Sequence, residues 1–110
     1  MRLVLAALAL TILPAAAQAG TITVKNCSAS SITVNAFRAN ATDSSAEAQA
    51  IPGGTASLYC PAAACRLEVT YYTPSARVVN FPGPYDGARC TDGIQDAAIG
   101  DLPAAGACRC

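Results

Sequence analysis

Six cysteines are the residues in this sequence with the most evident chemistry, and no histidine accompanies them. They stand at Cys27, Cys60, Cys65, Cys90, Cys108 and Cys110. An even number of cysteines in a short exported chain is typical of a disulfide framework. Structural zinc sites usually contain CxxC pairs, often with histidine, whereas the close spacings here are Cys60-x4-Cys65 and Cys108-x-Cys110. The cysteines therefore predict disulfides and no metal site.

The spacing of the cysteines restricts their pairing only in part, since six cysteines allow fifteen pairings. Cys108 and Cys110 are two residues apart, which on an extended chain gives poor disulfide geometry. We expect Cys60 to pair with Cys65. The two tail cysteines are then left for Cys27 and Cys90, in an order that stays open.

Catalytic groups are few. Without histidine the chain can build neither a Ser-His-Asp nor a Cys-His site. Glu47 fits a helix-capping role and Glu68 the solvent face of a strand, while Asp92, Asp96 and Asp101 lack the spacing of a calcium loop. We therefore expect no catalytic, metal-binding or cofactor-binding residues and no enzyme activity. A hydrolase based on carboxylates is the third-ranked alternative.

The charges do not form a surface for nucleic acid. Seven cationic side chains are scattered along the chain and are balanced by seven acidic ones. Phosphate binding needs a basic cluster or stripe. We expect no nucleic-acid partner.

The first nineteen residues have the layout of a secretory signal peptide. Arg2 is followed by the uncharged apolar run Leu3–Leu13, then by Pro14, and Ala17-Gln18-Ala19 offers small residues to an export peptidase. The run is about half of what crosses a bilayer. We expect cleavage after Ala19, a single mature domain over residues 20–110 in the periplasm or outside the cell, and no membrane span after cleavage.

Alternating apolar residues predict an all-β domain. The expected one-faced sets are Ile22 and Val24; Ile32, Val34 and Ala36; Ala56, Leu58 and Cys60; and Cys65, Leu67, Val69 and Tyr71, with Arg66, Glu68 and Thr70 facing outward. Strands are expected over 21–25 and 31–38, joined as a hairpin, over 55–60 after the turn Pro52-Gly53-Gly54, over 65–71, over 77–81 and at the tail, 107–110. Ser44–Glu47 matches a capping box and predicts a short helix reaching Ala50, and Asp92–Gln95 predicts a second one. The expected fold is a small antiparallel sandwich or barrel of five to six short strands, with one or two helical turns, braced by disulfides.

The large hydrophobic side chains are few, and the chain has no tryptophan. We expect the disulfides to supply stability that so thin a core cannot.

The function predicted from these features is a non-enzymatic binding or structural module with an unidentified protein or carbohydrate ligand. Aromatic residues in turn-rich segments are the expected recognition residues, namely Tyr71, Tyr72, Phe81 and Tyr85. The alternative is a protease inhibitor or small toxin-like effector that displays the alanines of a Cys60–Cys65 ring. Asn26 and Asn40 match the N-glycosylation pattern, which has meaning only in a eukaryotic source.

Overall fold

The computed structural model describes residues 20–62, 64–91 and 102–108, which contain seven β-strands and one short 3-10 turn at Ala105–Ala107. The strands are β1 Gly20–Asn26, β2 Ile32–Phe37, β3 Ala46–Ala50, β4 Thr55–Cys60, β5 Cys65–Tyr71, β6 Arg77–Tyr85 and β7 Gly87–Thr91. The expected signal peptide, the second expected helix and its three aspartates lie outside the described residues.

Two sheets form the domain. One has the strand order β4-β1-β7 and the other β3-β2-β5-β6. All pairs are antiparallel except β1 with β7, which is parallel. The prediction of a disulfide-braced all-β sandwich is confirmed, although the described part of the chain has seven strands rather than five or six.

The core forms where the inward positions of the strands meet. Every second residue of a strand faces the same side of its sheet, so β5 buries Cys65, Leu67, Val69 and Tyr71 and turns Arg66, Glu68 and Thr70 outward, as predicted. Val24, Val34, Leu67 and Val69 are completely buried. Smaller alanines, Ala36, Ala50 and Ala56, complete the contact between the sheets.

The predicted hairpin of the first two strands is wrong. β1 pairs with β4 and β7, whereas β2 pairs with β3 and β5 in the other sheet. Cys27–Ser31 is therefore a connection between sheets, and its turn residues do not close a hairpin. Local alternation gave the right inward residues but carried no information about the partner strand.

The helix expected to follow the capping box at Ser44–Glu47 is also wrong, because Ala46–Ala50 is the strand β3. Its alternation of alanine with Glu47 and Gln49 gives one small, inward face and one polar, outward face. A helix this short is unstable alone, and pairing along β2 satisfies the backbone of β3 instead.

Two further boundaries differ from expectation. β6 continues beyond Phe81 to Tyr85. The expected tail strand is not formed in its described part, since Ala105–Ala107 is a 3-10 turn and the nearest sheet contact is an isolated bridge between Arg89 and Ala104.

Disulfides brace the sandwich at two described places. Cys60–Cys65 joins the end of β4 to the start of β5 and so links the two sheets, with a Cα–Cα distance of 6.1 Å. Cys90–Cys108 fixes the tail to β7 across 6.1 Å. Cys27 is also disulfide-bonded. The predicted Cys60–Cys65 pair is confirmed, and Cys90 does take a tail cysteine.

Candidate functional site

Three of the four expected recognition residues are in the core, which corrects the prediction. The exposed fractions of Tyr71, Phe81 and Tyr85 are 2%, 7% and 1%. Tyr71 is in phase with Leu67 and Val69, so the alternation of β5 already placed it inward. The Tyr85 hydroxyl accepts a hydrogen bond from the Leu102 backbone N–H at 2.9 Å, which explains a buried phenol.

Tyr72 is the expected recognition residue that remains accessible, with 47% of its surface exposed. It follows β5 and lies over the outer face of the four-stranded sheet. Its hydroxyl oxygen is 2.8 Å from Thr33 Oγ1 of β2. This hydrogen bond holds the exposed ring in one orientation.

A groove of about 350 Å³ opens beside Tyr72. Its lining residues come from β2, from β3 and from the residues that flank β2, β3 and β5. They are Ser31, Ile32, Thr33, Gln49, Ala50, Ile51 and Tyr72. Ile51 is 71% exposed and forms an apolar rim. The lining contains hydroxyl, amide, aliphatic and aromatic groups and no acidic or basic side chain.

The outer face of the same sheet extends the groove along the strands. The β-sheet register aligns Gln49, Thr33 and Thr70 in one row, and Glu47, Asn35, Glu68 and Asn80 in the next. Side chains in such rows on one face are neighbours across the strands. The groove therefore continues into a polar surface of amides and carboxylates.

Arg66 closes the far end of this face. Its guanidinium lies 4.1 Å from the centroid of the Phe37 ring and 3.3 Å from Glu68 Oε2. It also donates a hydrogen bond to the Ala41 carbonyl at 3.0 Å. These contacts cover the outward-facing Phe37 and tie the connection after β2 to the sheet.

A buried network centred on Asn26 supports the groove from below. The Asn26 amide nitrogen donates hydrogen bonds to the carbonyls of Ser30 and Ala50, at 2.7 and 3.1 Å. Its amide oxygen accepts from the Ser28 backbone N–H at 3.1 Å, from the Ser28 hydroxyl at 2.6 Å and from the Thr91 hydroxyl at 3.3 Å. The side chain is fully buried and all its hydrogen-bonding groups are used.

Ser30 connects the Asn26 network to the backbone of the exposed Tyr72. Its hydroxyl oxygen accepts hydrogen bonds from the backbone N–H groups of Tyr72 and Thr73, at 2.9 and 3.0 Å. Asn26 thus fixes both sides of the groove, through Ser30 beneath Tyr72 and through Ala50 beside Ile51. Sequence reasoning did not single out Ser30, Thr33 or Gln49, because they come together only through pairing of distant strands.

The two asparagines of the N-glycosylation patterns differ in exposure. Asn26 has no exposed surface and its amide is engaged in the network, so it offers no acceptor in the folded protein. Asn40 is exposed in a turn, with a positive φ of 63°.

Within residues 20–62, 64–91 and 102–108, no group of three or more acidic or cysteine side chains could hold a metal ion. The same part of the chain has no helix long and apolar enough to cross a membrane. In the Cys60–Cys65 ring, Ala62 is half-buried and packs against the core, and Ala63 lies outside the described residues.

Comparisons with protein-family models, with curated proteins and with solved structures found no match to this chain.

Proposed function

We propose that this chain is an exported, non-enzymatic binding module that holds a short neutral saccharide in the groove beside Tyr72. The observation that carries the proposal is the lining of that groove. It combines an exposed aromatic ring, an amide and hydroxyls with no charged group. Aromatic faces pack against the C–H faces of sugars, while amides and hydroxyls can bond to sugar hydroxyls.

The size and rigidity of the groove support the same ligand class. Its volume of about 350 Å³ is at the lower end of small-molecule sites, which suits a ligand of one or two sugar units. The Thr33–Tyr72 hydrogen bond and the Ser30 contacts order the ring before a ligand arrives. Pre-ordering lowers the entropic cost of binding.

The positions of the two glutamates, Glu47 and Glu68, favour binding over hydrolysis. Glu47 and Glu68 share a row on either side of Asn35, but both lie on the solvent-facing side of the sheet. A glycosidase acid works from an apolar pocket that keeps its carboxyl protonated. Glu68 instead forms an ion pair with Arg66 at 3.3 Å.

Protease inhibition is the second candidate, because the Cys60–Cys65 bond closes the expected ring. An inhibitory loop has to enter the protease cleft. Ala62 packs against the core, and among the ring residues that are described only Pro61 is exposed. The ring supports inhibition less strongly than the groove supports saccharide binding.

The proposal is tested by titrating the protein with neutral mono- and disaccharides while following backbone amide NMR shifts. We expect shifts at Thr33, Gln49 and Tyr72, and loss of binding in Tyr72→Ala. Tyr59→Ala is the matched control, because Tyr59 is 56% exposed on the other sheet. No shift with any neutral saccharide, or equal loss of binding in both variants, would contradict the proposal.

A further inference from the structure

The edge strands of the two sheets differ in how they are protected. An unpaired edge offers backbone N–H and C=O groups to any other strand, and proteins usually block it. The edge of β7 is covered by the tail, through the Arg89–Ala104 bridge and the Cys90 N–H bonded to the Pro103 carbonyl at 3.0 Å. β6 contains Pro82 and Pro84, which have no N–H to donate.

Within the described part of the chain, β3 has none of these protections. It ends the four-stranded sheet and pairs only with β2 among the described strands. Its sequence, Ala46–Ala50, contains no proline, lysine or arginine. β4, the unpaired edge of the other sheet, packs next to β3 on the same side of the sandwich.

The sequence of β3 is complementary to itself. Two antiparallel copies related by a twofold axis at Ala48 place Glu47 of each copy opposite Gln49 of the other. The Gln49 amide can then donate to the Glu47 carboxylate on the outer face, twice per pair of strands. On the inner face, alanines alone oppose one another.

Other symmetric registers are poorer. An axis at Glu47 would oppose two carboxylates, and an axis at Gln49 would place Glu47 opposite Ile51. A twofold axis that passes between two residues would place an outward-facing residue opposite an inward-facing one. Residues opposite each other in a continuous sheet must face the same side, so such an axis is excluded. The outward polar residues and the inward alanines thus select Ala48.

We propose that two copies of this chain associate through β3, antiparallel about Ala48, so that the two four-stranded sheets become one continuous sheet. The inference goes beyond saccharide binding, since it concerns the edge of the sheet and not the contents of the groove. It also places the two grooves on the same face of one sheet.

The test uses charge changes of opposite sign at Gln49, which is exposed and so tolerates either change. Gln49→Lys faces Glu47 of the second copy and should tighten the dimer. Gln49→Glu places a second carboxylate opposite Glu47 of the other copy, at both symmetry-related positions, and should weaken the dimer. Sedimentation over a dilution series should show dissociation constants that move in opposite directions, each by roughly two- to thirty-fold.

The matched controls are Asn80→Lys and Asn80→Glu, which make the same charge changes at an exposed residue of β6, on the opposite edge of the sheet. They should leave the dissociation constant within about twofold of the wild type. A monomer at every concentration would overturn the proposal. So would a dimer that responds equally to both signs of charge at Gln49, or as strongly to changes at Asn80.

Discussion

Asn26 shows how one residue can order a site that it does not line. Its side chain joins the end of β1, the connection to β2, the end of β3 and Thr91 of β7. Buried amides are costly unless every donor and acceptor is used, and here all of them are. The sequence shows Asn26 only as part of a turn or a glycosylation pattern.

Replacing Asn26 by alanine should destabilise the protein by at least about 3 kcal/mol, because several buried donors and acceptors lose their partner at once. Urea unfolding measures the change. Asn80→Ala, on the exposed outer side of β6, serves as the control and should change stability by less than about 0.5 kcal/mol. Equal effects of the two substitutions would show that the network does not stabilise the fold.

Among the elements, β3 departs most from sequence expectation and matters most for the site. Its capping box is a real local signal, yet a strand forms because β2 offers a complete pairing partner from Ile32 to Ala36. Pairing carries Gln49 to Thr33 and completes the groove. Tertiary context decides between helix and strand when a segment is too short to be stable alone.

The two described disulfides constrain different lengths of chain. Cys60–Cys65 spans five residues and Cys90–Cys108 spans eighteen. In the chain-entropy model, Cys90→Ala with Cys108→Ala should cost about 3 kcal/mol, and Cys60→Ala with Cys65→Ala about 2 kcal/mol. Denaturant midpoints of the two double variants measure the difference. If the variant without the Cys60–Cys65 bond is clearly the less stable of the two, the link between the sheets contributes more to the free energy of unfolding than the length of the closed loop does.

In the whole molecule, two small sheets enclose a core that includes the small residues Ala36, Ala50 and Ala56 and contains no tryptophan. Small domains bury a limited fraction of their surface and often need covalent support. We expect the disulfides at both ends of the sandwich to provide it. This dependence connects stability to the compartment in which the chain folds.

Residues 20–110 produced in a reducing cytoplasm should therefore be unfolded, whereas the full chain exported to an oxidising compartment should fold. Circular dichroism distinguishes the two by the β spectrum. Oxidative refolding of the cytoplasmic material should restore the spectrum of the exported protein, which controls for the absence of residues 1–19. A folded cytoplasmic product with free thiols would show that the core suffices without disulfides.

The sequence by itself determined the all-β class, the disulfide bracing, the inward faces of β4 and β5 and the Cys60–Cys65 pair. These follow from alternation and spacing, which are local. Tyr72 was predicted as a recognition residue, but its partners Ser30, Thr33 and Gln49 were not. Only the tertiary structure decided that β1 and β2 enter different sheets, that β3 is a strand and that Phe81 and Tyr85 are buried. Strand partners are chosen by packing between distant segments, and a periodic pattern shows which side of a strand is buried without showing which strand lies beside it.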